Sequence, residues 1–260
     1  MNYSTLLIDR AADGVAVLTI NRPDKLNALN AQVMKELDHA VEDLIVDRSV
    51  RVVLVTGAGE KAFVAGADIA ELSTLDEETG HALSTNGQAV FMRIARSPKP
   101  FIAVVEGYAL GGGTELALAC HMRVAGGNAV FGLPEVTLGL IPGYGGTQRL
   151  SRLVGQGRAM EIILTGNPVK AEQAFGMGLA NRLVEAGKGM DEARTIAGSI
   201  LKRAPLAVAA AIKAVIAADE TPEVGYETEA DLFANLCATD DFREGTRAFL
   251  AKEKPSFTGN

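Results

Sequence analysis

Residues 14–59 read GVAVLTINRPDKLNALNAQVMKELDHAVEDLIVDRSVRVVLVTGAG, and the hydrophobic period changes twice within them. Residues 14–20 are rich in β-branched side chains and end at Asn21-Arg22-Pro23-Asp24, the signature of a strand running into a turn. Asn30 then stands where a helix N-cap belongs. After it Val33, Leu37, Val41, Leu44 and Ile45 recur with the helical period. Residues 50–56 return to strand composition and stop at Gly57-Ala58-Gly59, and residues 101–105 repeat the pattern before Glu106-Gly107. Strand, crossover helix and strand in this rhythm predict a largely parallel arrangement of βα units. Beyond about residue 155 the pattern becomes helical, over residues 158–164, 171–176, 190–204, 206–218, 223–238 and 241–252. Pro205 and Pro222 fall at helix starts, where a missing N–H costs nothing. The sequence therefore predicts an α/β body followed by a helical C-terminal part.

Composition narrows the function. Of 260 residues, 48% are hydrophobic and 22% charged, which is ordinary for a globular protein. Lys and Arg number 25 against 32 Asp and Glu, giving a formal charge of −7 and a pI near 5.1. Such a surface repels a phosphate backbone, and 9 Phe, 4 Tyr and no Trp offer little for bases to stack on. Nucleic acid is thus not the expected partner. No apolar run reaches the roughly 18 residues of a membrane span, and residues 1–10 lack a signal or transit pattern. Two cysteines, Cys120 and Cys237, make no disulfide framework, and Cys120 lies in an apolar run that predicts a buried, reduced thiol. A soluble, cytoplasmic protein is expected.

Three glycine-rich segments stand apart from scaffold. In Ala62-Phe63-Val64-Ala65-Gly66-Ala67-Asp68-Ile69-Ala70-Glu71, Asp68 and Glu71 have capping-box spacing, and the N–H groups at such a helix start are free for an anion. In Gly107-Tyr108-Ala109-Leu110-Gly111-Gly112-Gly113-Thr114-Glu115, three glycines lead into an apolar helix and let a ligand touch the main chain, with Glu115 in the first turn. The third segment, residues 131–150, reads FGLPEVTLGLIPGYGGTQRL, in which Glu135 is the only charged side chain before Arg149. A carboxylate in such apolar surroundings has a raised pKa and suits proton transfer near neutrality. Other chemistries fail on spacing. Gly57-Ala58-Gly59 does not complete the dinucleotide fingerprint, which opposes a nicotinamide oxidoreductase, and no phosphate loop or nucleophile elbow occurs. His39, His81 and His121 lack metal-ligand spacing. A non-catalytic scaffold would have no need of both carboxylates and both glycine turns.

At these segments the chain resembles the enoyl-CoA hydratase/isomerase (crotonase) family. The likeness extends over nearly the whole sequence, through Asn21-Arg22-Pro23 with Asn27-Ala28-Leu29, residues 63–69, 107–115 and 131–150, and residues 238–249. It implies a spiral of ββα units over residues 1–195 and a helical oligomerisation region over residues 196–260, giving a homotrimer or a homohexamer built as a dimer of trimers. It also implies reversible hydration of 2-trans-enoyl-CoA thioesters to 3-hydroxyacyl-CoA, with double-bond isomerisation or another acyl-CoA lyase activity of the same family as the alternative. By the same resemblance the N–H groups of Ala67 and Gly112 form an oxyanion hole, Glu115 and Glu135 act as general acid and base, and the Gly143 N–H positions water. The coenzyme A moiety of the substrate is expected along Ala65, Ala67, Asp68, Ile69, Ala70 and Gly112 and near Lys25. No separate cofactor and no metal are implied. A lysine common in relatives after the Ala-Asp-Ile triplet is replaced here by Ala70.

Overall fold

The computed structural model describes residues 3–260, which wind as a spiral between two sheets. A hairpin of β1 (Leu6–Arg10) and β2 (Val15–Ile20) opens the chain, followed by α1 (Ala31–Val46). Each later turn then sends one strand to each sheet: β3 (Val52–Gly57) and β4 (Ala62–Val64), β5 (Phe101–Val105) and β6 (Tyr108–Leu110), β7 (Met122–Gly126) and β8 (Val130–Gly132). With β9 (Val169–Lys170) and β10 (Arg182–Val184), the six-stranded sheet runs β1-β2-β3-β5-β7-β10 and the four-stranded sheet β4-β6-β8-β9. All pairings are parallel except β1 with β2 and β8 with β9. This is the expected spiral of ββα units.

Parallel strands covered on both faces need apolar side chains at successive positions, and β3 and β5 supply them. Strand alternation divides these side chains between two cores. Val53, Val55, Phe101, Ala103 and Val105 join the main core with Val33, Leu37, Val41 and Leu44 of α1. Val52, Leu54, Ile102 and Val104 face the other way, against Ala193 and Ala197 of α8 (Gly189–Leu201), which follows α6 (Gln156–Thr165) and α7 (Ala171–Gly176). Each fully buried Val, Leu, Ile or Phe is worth roughly 1.5–3 kcal/mol. Asn30 caps α1 as predicted, its side chain accepting from the Val33 N–H at 2.9 Å.

Several details differ from the sequence reading. The division expected at 195/196 falls inside α8, whose alanines pack on the sheet. The helices that leave the sheet are α9 (Pro205–Ala217), α10 (Pro222–Cys237) and α11 (Asp240–Ala251). The strands of the four-stranded sheet are two or three residues long, too short to show a period. The predicted capping box also does not close. Asp68 accepts from the Ala70 N–H at 3.3 Å at the start of α2 (Ile69–Leu72), while Glu71 turns away to accept from the Ala31 N–H at 2.8 Å, capping α1 instead.

Candidate active site

The main-chain donors are set by a tight polar knot at the first turn. Leu26 and Asn27 both adopt positive φ, which asparagine tolerates better than most residues. The buried Asn27 amide donates to Ala58 O and Ala62 O at 2.9 and 2.8 Å, and its oxygen accepts from the Arg22 N–H at 3.0 Å. The Arg22 guanidinium donates to Ala28 O at 2.6 Å and pairs with Asp68 at 3.1 Å. Together these contacts lay Leu29 beside Gly66-Ala67-Asp68, where the Leu29 N–H donates to Gly66 O and the Asp68 N–H to Leu29 O, each at 2.8 Å. Extended backbone alternates its donors. The Ala67 N–H therefore points away from Leu29, and it finds no protein acceptor among the described residues.

The second donor comes from α4 (Gly112–Ala119). Gly111, at φ 49°, donates to Gly132 O at 2.8 Å and turns the chain into the helix. A side chain on Gly113 would overlap the Val64 carbonyl, so only glycine brings α4 this close to β4. No side chain caps α4. Its Gly112 N–H is one of the orphan donors of a helix start, and it too finds no protein acceptor among the described residues.

Two glutamates line the same cavity as this pair of donors. Glu115 is 1% exposed, and its Oε1 accepts from the N–H groups of Tyr144 and Gly146 at 2.8 and 2.7 Å. Burial nevertheless pushes its carboxyl up to about 7. The Gly146 and Tyr144 N–H groups and Arg149 oppose that rise, while the charge of Glu135 adds to it. Glu135 opens a short 3-10 helix, Glu135–Leu138, after Pro134. Its Oε2 is buried without a hydrogen-bond partner, and burial raises its pKa as well. Its Oε1 lies 2.8 Å from where a Cβ on Gly111 would stand, so the carboxyl rests against the glycine that precedes the Gly112 donor.

The turn that holds Glu115 is itself held. α3 (Glu77–Ala95) presents Ser84 and Gln88, which donate to Gly143 O at 2.6 and 3.0 Å. Arg149 of α5 (Gly146–Val154) donates to Tyr144 O at 2.8 Å. The Gly143 N–H has no protein acceptor among the described residues. All these groups border one cavity of about 640 Å³. Ala65, Ala67, Ile69, Gly112, Glu115, Glu135 and Gly143 line it, whereas Asp68, Ala70 and Lys25 do not. Asp68 is engaged with Arg22, and Lys25 is exposed beside the first turn. Sequence reading assigned no role to Arg149, Ser84 or Gln88. The four-residue spacing of Ser84 and Gln88 on one helix face was the available signal.

Residues 10–260 match the enoyl-CoA hydratase/isomerase family. The chain is 45% identical over 257 residues to the short-chain-enoyl-CoA hydratase of Clostridium acetobutylicum, covering 98% of this chain and 97% of that one. It is 43% identical over 258 residues to the crotonyl-CoA hydratase of Syntrophomonas wolfei, covering 99% of each. The crystal structure of enoyl-CoA hydratase from Bacillus anthracis superposes with a TM-score of 0.94 at 37% identity, over 99% of this chain and all of that one. Family match, full-length identity and a common spiral of ββα units agree: this chain belongs to the enoyl-CoA hydratase/isomerase family.

Proposed function

We propose that the protein reversibly hydrates 2-trans-enoyl-CoA thioesters to 3-hydroxyacyl-CoA. The observation that carries this reading is the convergence of two unpaired N–H donors and two pKa-raised glutamates on one cavity. The thioester oxygen accepts from Ala67 and Gly112. Water, placed by the Gly143 N–H, gives its proton to Glu115 as its oxygen bonds to C3. The C2=C3 electron pair moves toward the thioester, and negative charge builds on its oxygen. Fixed donors stabilise that charge without reorganising, one of them being worth about 10²–10³ in rate. Glu135 delivers a proton to C2, and dehydration runs the same steps backwards. A carboxyl whose pKa lies about 7 exchanges protons readily near neutral pH.

No separate cofactor takes part in this scheme, because coenzyme A enters as a portion of the substrate. Its pantetheine arm is assigned to Ala65, Ala67 and Ile69 of the lining, with Lys25 toward the phosphates and Asp68 and Ala70 outside the cavity. The reading extends to a homotrimer or homohexamer, supported by the exposed Val215, Tyr226, Phe233 and Phe249 of α9–α11. Among the described residues no helix is long and apolar enough to cross a membrane, and Cys120 and Cys237 are free. Both facts accord with a cytoplasmic setting. Crotonyl-CoA tests the activity directly. Loss of the enoyl-thioester absorbance with formation of 3-hydroxybutyryl-CoA is expected, and folded protein that leaves the absorbance unchanged at every chain length overturns the proposal.

A further inference from the structure

We infer that the Tyr144 ring, seated on Gly87, is the wall that limits the acyl chain to short lengths, an inference that rests on the acyl-thioester reading above. Tyr144 is 5% exposed yet borders the cavity. Its ring carbons Cδ2 and Cε2 lie 3.4 and 3.5 Å from where a Cβ on Gly112 would stand, so the ring flanks the oxyanion donor. Its N–H is bonded to Glu115, the group assigned to the water. Acyl carbons beyond the reacting pair must pass this ring.

Backbone bonds and packing against α3 stop the ring from yielding. Its N–H and C=O are held by Glu115 and Arg149, at 2.8 Å each. Phe91 meets it edge-on, with ring centroids 5.6 Å apart at 84°. On the third side is Gly87, buried in the interior of α3, where a Cβ would overlap the Tyr144 ring. Glycine is a poor helix former, and its presence at this buried position is explained by the ring it accommodates. Burial, with the charges of Glu115 and Glu71, pushes the phenol up to about 12, so the wall carries no charge at physiological pH. A rotamer change would have to break the packing against both Phe91 and Gly87 of α3, which distinguishes Tyr144 from the exposed Leu138, Leu140 and Ile141 that also line the cavity.

The test compares hydration of enoyl-CoAs of four, eight and ten carbons by the full-length protein and its variants, alongside calorimetric binding of butyryl-CoA and decanoyl-CoA. In the parent, kcat/KM falls with length. Tyr144→Ala, or Tyr144→Leu with a smaller opening, raises the ten-to-four-carbon ratio at least about tenfold, the scale set by a few methylenes in an apolar pocket. The decanoyl-to-butyryl affinity ratio shifts in the same sense, and Tyr144→Phe keeps the parent's ratios. Gly87→Ala lowers the Tm of the parent but much less that of Tyr144→Ala, since the ring it strikes is gone. A folded Tyr144→Ala whose length ratios match the parent's, in both hydration and binding, overturns the wall. So does a Gly87→Ala penalty of equal size in the two backgrounds. If the parent hydrates no substrate, the hydratase reading falls while the binding ratios still decide the wall.

Discussion

Glu36 on α1 and Glu115 on α4 are both buried carboxylates, in two regions of the same core, and their surroundings drive them in opposite directions. Burial raises Glu36 too, but five donors more than offset it. These are the N–H groups of Ser4 and Thr5 at 2.9 and 2.8 Å, their hydroxyls at 2.8 and 2.7 Å, and the Gln32 amide at 2.7 Å. They hold Glu36 down to about 2. Glu115 receives two N–H bonds on one oxygen and has a second carboxylate for company, and it rises to about 7. Depth and donor count act together: Glu36 is the shallower of the two and saturated, which ties the α1 face to the chain just before β1, whereas Glu115 is shut in with donors on one oxygen only, which leaves an incompletely satisfied carboxyl bordering the cavity.

The largest effects should come from removing the unsaturated pair. Glu115→Gln and Glu135→Gln keep shape but lose the exchangeable proton, so each should lower hydration of crotonyl-CoA by about 10²–10⁴. The double variant should fall far short of the product of the two losses, because the two groups act as a unit. The variants should also part company in hydrogen exchange. Glu115→Gln retains some exchange of the substrate's C2 or C4 hydrogens with solvent, and Glu135→Gln loses it. Full hydratase activity in Glu115→Gln would break the two-carboxylate scheme and favour isomerisation.

The donors that share the cavity with the glutamates give the next effect. A side chain on Gly112 would stand 3.1 Å from Leu29 Cδ1 and within 3.5 Å of the Tyr144 ring. Gly112→Val should thus turn the N–H aside and cost about 10²–10³ in kcat, the value of one oxyanion donor, with the circular dichroism spectrum preserved. Unchanged turnover would remove Gly112 from the hole.

Glu36 supplies the matching test on the saturated side. Glu36→Gln sets an amide N–H₂ against groups that themselves donate. It should lower stability at pH 7 by about 2–4 kcal/mol, as for loss of charge-assisted bonds, and leave kcat alone. Because the folded pKa of Glu36 lies below its ordinary 4.5, its contribution is complete above pH 4.5 and is lost as pH falls toward about 2. Urea titrations at pH 7 and pH 3 should show the gap between parent and variant shrinking in acid. A gap that does not change with pH would mean packing, not charge, holds that face.

What the sequence disclosed follows the length of each signal. The period of α1 and the apolar runs of β3 and β5 span enough residues to be read, and so do the glycine clusters that mark Ala67 and Gly112. The glutamates were legible because Glu135 stands alone in an apolar stretch and Glu115 follows three glycines. Three-residue strands such as β4, β6 and β8 leave no period, and their pairing is set by the spiral. Distance along the chain hid the rest. Nothing local to Gly87 announces the ring of Tyr144, or ties Arg22 to Asp68. The Asp68–Glu71 spacing suited a capping box, yet tertiary contact gave Glu71 to the start of α1.

The smallest effect is also the one that most sharpens the contrast between the two carboxylates. Glu115 has a folded pKa near 7 against an ordinary 4.5, so between those values the folded state binds more protons than the unfolded one. Stability then falls as pH rises from about 4.5 to about 7, and the whole cost is present above that window. Glu115→Gln escapes it, because an amide oxygen still accepts from Tyr144 and Gly146 and nothing buried must ionise. At pH 8 the variant should be more stable than the parent by on the order of 1–3 kcal/mol, and at pH 4.5 the two should coincide. Urea unfolding at the two pH values reads the difference directly. Glu36→Gln should show the reverse, with its loss greatest at neutral pH. If Glu115→Gln were less stable than the parent at pH 8, its carboxylate would be as well satisfied as that of Glu36, and incomplete saturation could no longer account for the rise of the one set against the fall of the other.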